Sequence, residues 1–354
     1  MPKIGGMSNQ KRRTELYELG EFRLIDRLTG TFGKQHESTI KGVGDDAAVI
    51  DVGPKSMVIT TDLLLEGIHF DLTYFPLKHL GYKAVVVNLS DVYAMNAKPT
   101  HITISIGVSK RFCVEDLEDL YAGVKLACER YGVDMVGGDT SSSMTGLTIS
   151  ITAIGEAPKT DITYRSGARV NDLICVSGNL GAAYMGLQLL EREKRVFESS
   201  SGAKPKLEGS SYILKRMLKP EARKDTIEKL SESKIKPTAM IDISDGLSSD
   251  LLHICKNSGV GCKIYADKIP IDSQTAQMAE EFGIEPLIAA LNGGEDYELL
   301  FTIPLEEFQN ISKIEGISTI GHITAASSGA NLITPTGEEI KLTAQGWNSL
   351  AKEE

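Results

Sequence analysis

Apolar residues recur at helical spacing near the start of the chain, at Leu16, Leu19, Phe22, Ile25 and Leu28, and predict a helix over residues 15–28. Residues 42–51 pass from a glycine-rich turn into a strand, and residues 57–61 make a short apolar strand that ends at Asp62. The Ala- and Val-rich stretch 79–97 reads as a helix whose Gly81 and Asn88 point to close packing or to function. A strand follows over 101–108, then an amphipathic helix over 114–131 with Leu117, Leu120, Val124 and Ala127 on one stripe. Residues 133–137 read as a buried strand and 147–155 as another.

Residues 156–170 are polar and mark a domain boundary. Beyond it the pattern predicts strands over 172–177, 239–243, 260–265 and 297–303, and helices over 180–197, 220–233, 244–257, 273–282 and 304–311, with short strands closing the chain. The Ser/Gly/Lys/Pro-rich stretch 198–211 reads as a flexible insert. The expected organisation is a polar extension over 1–14, an N-terminal domain over 15–157 and a C-terminal α/β domain over 158–354. Strands and helices alternate in both halves, yet enough strands are adjacent for antiparallel pairing. The fold class is therefore α/β or α+β, not a clean βαβ series.

A length of 354 residues agrees with about two domains. The net charge of -10 argues against a basic face for nucleic acid, since the longest Lys/Arg run is Lys11-Arg12-Arg13. An acidic chain can still bind phosphates if local amides, arginines or metal ions assist. The five cysteines form no C-x-x-C pair, which fits reduced thiols and a cytoplasmic location. No apolar run approaches 18 residues, so no membrane span or membrane partner is expected, and the N-terminus lacks a signal-peptide core.

Seven acidic clusters stand out: Asp45-Asp46, Asp62, Asp91, Asp139 after Gly137-Gly138, Asp242 with Asp245, Asp250, and Glu295-Asp296 after Gly293-Gly294. Asp beside Gly often makes only turns and helix caps. All the clusters together are harder to explain that way, and Asp62 and Asp91 lie in apolar settings where an unpaired carboxylate is costly. The alternative is an oxygen-ligand site for several Mg²⁺ ions. The P-loop, the dinucleotide-binding glycine pattern, the protein-kinase motifs, the EF-hand and the G-x-S-x-G elbow are all absent. His69 could hydrogen-bond a ligand or be a satisfied structural residue, and Arg165 and Arg169 could pair with phosphate or lie on the surface. Trp347, the only tryptophan, could pack the tail down or stack on a flat heterocycle.

Six motifs in order resemble those of the thiamine-monophosphate kinase family, within the aminoimidazole-ribonucleotide-synthetase-like superfamily. They are Gly44-Asp-Asp-Ala-Ala, Thr60-Thr-Asp-Leu-Leu-Leu-Glu-Gly-Ile-His-Phe70, Asn88-Leu-Ser-Asp-Val-Tyr-Ala-Met95, Gly137-Gly-Asp-Thr140, Met240-Ile-Asp-Ile-Ser-Asp-Gly-Leu247 and Gly293-Gly-Glu-Asp-Tyr-Glu-Leu299. The resemblance spans about residues 15–350. It implies a two-domain fold whose N-terminal domain binds ATP and metal and forms the core of a homodimer. It also implies phosphorylation of thiamine monophosphate by ATP, with Mg²⁺ as cofactor.

By that resemblance Asp46, Thr61, Asp62, Asp91, Asp139, Asp242 and Asp245 match metal-ligand positions, with Thr60 a further candidate. Gly138, Asp139, Tyr121, Arg165 and Ser244 match ATP-contacting positions. His69, Glu295 and Trp347 match positions around the thiamine phosphate, where Glu295 is expected to face the cationic thiazolium or the aminopyrimidine. Two rival readings are another ATP-using member of the superfamily and a non-catalytic binding protein. A selenophosphate synthetase is expected to carry a reactive Cys or Sec in a Gly-rich N-terminal segment, and residues 1–56 hold no Cys. The hydrogenase-maturation relative is expected to carry a C-terminal Cys, whereas this sequence reads Lys352-Glu-Glu354 there.

Overall fold

The computed structural model describes residues 21–29, 35–199 and 204–344. Trp347, the extension 1–14, residues 15–20 of the helix expected over 15–28 and part of the insert lie outside these residues. Helix α1 (Glu21–Thr29) belongs to a unit made of residues 1–35 and 348–354, whereas residues 36–347 form one larger unit.

The first sheet of the larger unit contains β1 (Thr39–Lys41), β2 (Ala48–Asp51), β3 (Lys55–Leu65), β4 (Lys98–Val108), β5 (Asp134–Ser142) and β6 (Leu147–Pro158). Their order is β1-β2-β3-β6-β4-β5, and every pairing is antiparallel except β4 with β5. Strand β6 alternates as a half-covered strand should: Leu147, Ile149, Ile151 and Ala153 are buried and their neighbours half-buried. The covering layer is α2 (Leu77–Ala94), packed on β3 and β6, with α3 (Val114–Tyr131) beside it. The two helices meet backbone to backbone. A Cβ at Gly81 would overlap the Leu120 carbonyl oxygen, and one at Gly123 would overlap that of Lys78. Close packing thus accounts for Gly81.

Two strands differ from expectation. β3 does not stop at Asp62 but runs on to Leu65, because β6 pairs with it along its whole length. β5 is not a buried strand: it is the sheet edge, continues through Asp139 to Ser142, and is exposed at all nine positions. The apolar Met135 and Val136 suggested burial, but the described residues supply no cover for them.

The second sheet has β7 (Leu173–Ser177), β8 (Ala239–Asp242), β9 (Gly261–Tyr265), β10 (Leu299–Ile303), β11 (Ile317–Thr324), β12 (Ala330–Ile333) and β13 (Glu339–Lys341), in the order β13-β12-β9-β11-β7-β10-β8. Only β9 and β12 run parallel. Strands β7, β8 and β10 are buried at every position. Ile174, Val176, Ile241 and Leu300 enter one core, and Cys175, Met240, Leu299 and Phe301 enter another on the opposite face. Helices α4 (Ala182–Ser199), α5 (Ser211–Leu218), α6 (Lys224–Glu232), α7 (Leu247–Ser258), α8 (Ser273–Glu281), α9 (Pro286–Asn292) and α10 (Phe308–Ile311) complete this half. Helices α5 and α9 were not expected. The first follows directly on the composition-biased insert, and the second has only seven residues, started by Pro286.

Helix α2 joins the two halves. Ala94 shares a core with Cys175 and Met240, Ser90 bonds Asp242, and Lys83 bonds Met217 and Glu295. Positions 83, 90 and 94 fall on one helix face.

Candidate active site

Three carboxylates from distant segments converge where β3, α2 and β8 meet. Oxygens of Asp46, Asp91 and Asp242 lie within 4.8 Å of one another. Each is held by a specific donor. Thr60 Oγ1 on β3 donates to Asp91 Oδ2 at 2.6 Å, and Ser90 Oγ donates to Asp242 Oδ2 at 2.6 Å. Arg165 Nη2 donates to Asp46 Oδ1 at 2.7 Å. Asp45 steadies this loop by accepting from the Arg165 backbone N–H at 3.0 Å. Asp46 Oδ2 is buried and has no hydrogen-bond partner.

Asp62 lies near this group. β2 pairs with β3 only as far as Ile59, and the Asp62 backbone N–H donates instead to Asn88 Oδ1 on α2 at 3.0 Å. Asn88 in turn donates to the Ala84 carbonyl, so both of its polar ends are used.

The electrostatics mark an uncompensated negative centre. Burial, opposed by Arg165 and reinforced by Asp242 and Asp45, pushes the Asp46 carboxyl up to about 7. Burial alone pushes Asp62 up to about 6. Asp242 rises to about 6, chiefly through burial, with Ser90 and Arg165 opposing. Asp91 is raised well above the usual range by burial and then by Asp62, Asp242 and Asp46. Like charges this close cannot all ionise without a counter-charge. The donor set is all oxygen, which suits Mg²⁺, and the orphaned Asp46 oxygen is what a cation would satisfy. Asp46, Asp91 and Asp242 are placed together to hold it.

Two loops close the site from the second half. Residues 242–246 leave β8 and enter α7, braced by Asp250, whose Oδ2 accepts from the Ser244 and Asp245 N–H groups at 3.2 Å each. Residues 293–298 lie against them. The Glu295 N–H donates to the Ser244 carbonyl at 2.7 Å and the Tyr297 N–H to that of Ile243 at 2.9 Å. A Cβ at Gly294, where φ is +69°, would crowd the Ser244 carbonyl oxygen. Glu295 and Tyr297 also take left-handed backbone, at φ 56° and 51°. Such conformations cost about 1–3 kcal/mol each and persist where the surroundings over-determine them. Here ion pairs do so. Lys83 Nζ lies 2.7 Å from Glu295 Oε2, while Arg216 Nη1 lies 2.9 Å from Glu298 Oε1, which also bonds Arg223. Burial, and then the charges of Glu295, Asp62, Asp242 and Asp91, push the Tyr297 hydroxyl well above the usual range, which fits a second loop that borders the carboxylates.

Other singled-out residues fall as follows. Thr60 faces Asp91, whereas the Thr61 hydroxyl donates to the Ile151 carbonyl on the other face of β3. Gly138 and Asp139 stand on exposed β5, outside the group of three. A Cβ at Gly138 would overlap the Ile104 carbonyl oxygen. Tyr121 is partly buried on α3. Ser244 and Asp245 sit on the loop at the end of β8. Arg165 is engaged with Asp46. The His69 Nδ1 accepts from the Leu65 N–H at 3.0 Å, which places the proton of a neutral ring on Nε2. Glu295, expected to face the cationic thiazolium or the aminopyrimidine, already holds the Lys83 ammonium. Lys83, Ser90 and Arg216 escaped the sequence reading. A lone Lys in the apolar run Tyr82-Lys-Ala-Val-Val-Val87 was the available signal.

The chain matches the family described as AIR synthase related protein, with the N-terminal domain over residues 44–157 and the C-terminal domain over 169–331. It is 39% identical to a thiamine-monophosphate kinase of Aquifex aeolicus over 293 residues, covering 83% of this chain and 89% of that one. Against that of Bacillus subtilis identity is 31%, covering 93% and 99%. A solved structure described as AaThiL complexed with AMPPCP and TMP superposes with a TM-score of 0.80 at 34% identity, covering 95% of this chain and 99% of that one. A hydrogenase maturation protein, HypE, in complex with ATP shares the fold, with a TM-score of 0.67 at 21% identity, covering 96% and 100%. On these matches the chain belongs to the AIR synthase related proteins, and within them to the thiamine-monophosphate kinase family.

Proposed function

We propose that this protein transfers the γ-phosphoryl group of ATP to thiamine monophosphate, giving thiamine diphosphate and ADP, by direct in-line attack without a phosphoenzyme. The observation that carries this reading is the buried carboxylate group of Asp46, Asp91 and Asp242, whose charge Arg165 compensates only in part. The names of the relatives point to the same substrates.

The nucleophile is a phosphate oxygen, mostly deprotonated at pH 7 because its second pKa is about 6, so no general base is required. The task is to bring two polyanions together in line, by positioning and charge neutralisation. Magnesium held by Asp46, Asp91 and Asp242 would supply that neutralising charge. Asp62, Asp245, Asp139 and Thr61 are further ligand candidates. Thr60 and Ser90 keep Asp91 and Asp242 aimed through charge-assisted hydrogen bonds. Tyr121, Gly138, Arg165 and Ser244 serve the nucleotide, and His69, Glu295 and Trp347 the thiamine phosphate.

The edge strand β5, which the described residues leave uncovered with Met135 and Val136 exposed, supports a homodimer through the first sheet. Among the described residues no helix is long and apolar enough to cross a membrane. A cytoplasmic site of action fits the five free cysteines.

Incubation with ATP, Mg²⁺ and thiamine monophosphate, followed by chromatography, tests the reading. Thiamine diphosphate should appear one-for-one with ADP. ADP without thiamine diphosphate would move the acceptor to another compound, and a covalently phosphorylated protein would rule out direct transfer.

A further inference from the structure

Lys83 is a full charge buried in an apolar helix. It is 1% exposed, and its ammonium lies 5.4 Å from the centre of the Phe75 ring. Burying a charge this completely is costly unless it is paired. Its partners are the Met217 carbonyl at 3.2 Å and Glu295 Oε2 at 2.7 Å. Neither lies on its own helix: Met217 is on α5 and Glu295 on the left-handed loop. The Glu295 side chain remains about a third exposed, so one carboxylate oxygen is pinned from behind while the group still reaches solvent.

We infer that Lys83 is a positioning residue for substrate recognition: its ammonium pins Oε2 of Glu295 and so presents the other carboxylate oxygen to the organic part of the phosphate acceptor. This rests on the reading that Glu295 contacts that substrate. A second consequence concerns charge. Because Lys83 already balances Glu295, the pair offers a neutral acceptor. It suits an N–H donor, such as the exocyclic amine of an aminopyrimidine, better than the thiazolium cation.

The experiment is steady-state kinetics on the full chain with Lys83→Met, Glu295→Gln and the double variant. Lys83→Met keeps the length of the stem. If it does not fold, Lys83→Gln is read in the same way. The KM for thiamine monophosphate should rise about tenfold in Lys83→Met, equivalent to about 1.4 kcal/mol, with the ATP KM unchanged within about twofold. The double variant should be no worse than Glu295→Gln alone, because Lys83 acts through Glu295. Wild type should also discriminate against an acceptor whose exocyclic amine is replaced by hydrogen, which removes the donor, and Lys83→Met should lose that discrimination. An unchanged or lowered acceptor KM, equal effects on both substrates, or additive effects in the double variant would overturn the inference. If Glu295→Gln alone leaves the acceptor KM unchanged, it is the underlying Glu295 reading that fails.

Discussion

The Ser90 hydroxyl, on the helix that covers the first sheet, donates at 2.6 Å to Oδ2 of Asp242, the last residue of a strand in the second sheet. One short hydrogen bond thus fastens a carboxylate of one half to the scaffold of the other. A hydrogen bond to a charged group contributes about 1.5–3 kcal/mol, and removing it from a buried carboxylate adds the cost of an unmet acceptor. Ser90→Ala should therefore raise the Mg²⁺ concentration needed for half-maximal activity by roughly tenfold. A magnesium titration of turnover at saturating ATP checks this, and an unchanged midpoint would place the bond outside the metal site.

The raised carboxyl pKa values predict how pH acts on the metal-free protein. Asp46 moves from 3.8 to about 7, and Asp62 and Asp242 move to about 6. The folded chain therefore binds protons that the unfolded chain has already released between about pH 4 and 7. In that window these groups make the fold less stable as pH rises, because charges form that the site does not balance. The melting temperature in chelator should fall from pH 5.5 to 8, and added Mg²⁺ should reverse the fall at pH 8 but act weakly at pH 5.5. A melting temperature that rises with pH in chelator, or a Mg²⁺ effect independent of pH, would contradict this.

Asp91 and Asp62 should be the most sensitive positions. Asp91→Asn keeps the shape but removes a charge that Thr60 and the neighbouring carboxylates are arranged around. Turnover should drop by about 10²–10³-fold, the scale of losing a group that stabilises transition-state charge. The protein itself should be no less stable, because one member of a self-repelling set has gone. Asp62→Asn should behave in the same direction. Stopped assays paired with thermal melts decide it, and near-normal turnover would take either residue out of the metal shell.

The contact between α2 and α3 predicts a purely structural failure. Gly123→Ala would drive a methyl into the Lys78 carbonyl oxygen, so the helices must separate. Overpacking of this kind costs typically about 1–3 kcal/mol. Urea unfolding should show the loss, and because α2 carries Asp91, activity should fall with it. Wild-type stability in Gly123→Ala would mean the helices are not in backbone contact.

Much of the fold was legible because most elements are either strongly periodic or bounded by charged residues. The helix over 114–131 has a stripe in sequence and the same limits in structure. β5 was misread because apolarity states that a segment wants cover without saying which chain provides it. Helix α5 was missed because its neighbouring insert is polar and rich in Ser and Gly. The acidic members of the site were visible since carboxylates in apolar stretches, such as Asp91 and Asp242, or near glycine, such as Asp46, stand out. Their supporting donors were not. Ser90 and Lys83 look like ordinary helix residues until the fold sets them opposite Asp242 and Glu295. A partner distant in sequence leaves no local trace.

Helix α2 also works as a ruler. Lys83 and Asp91 are eight residues apart on one continuous helix, a rise of roughly 12 Å. That span separates the end that holds Glu295 from the end that holds the carboxylate group, and nothing flexible lies between them. A molecule engaging both ends must match the length, whatever groups it carries. Adding or deleting one residue there would change the spacing by only about 1.5 Å, yet swing one end round by roughly 100° and turn its side chains away from their partners. For a substrate that engages both ends, as proposed above, the register of this one helix would thus be a length standard.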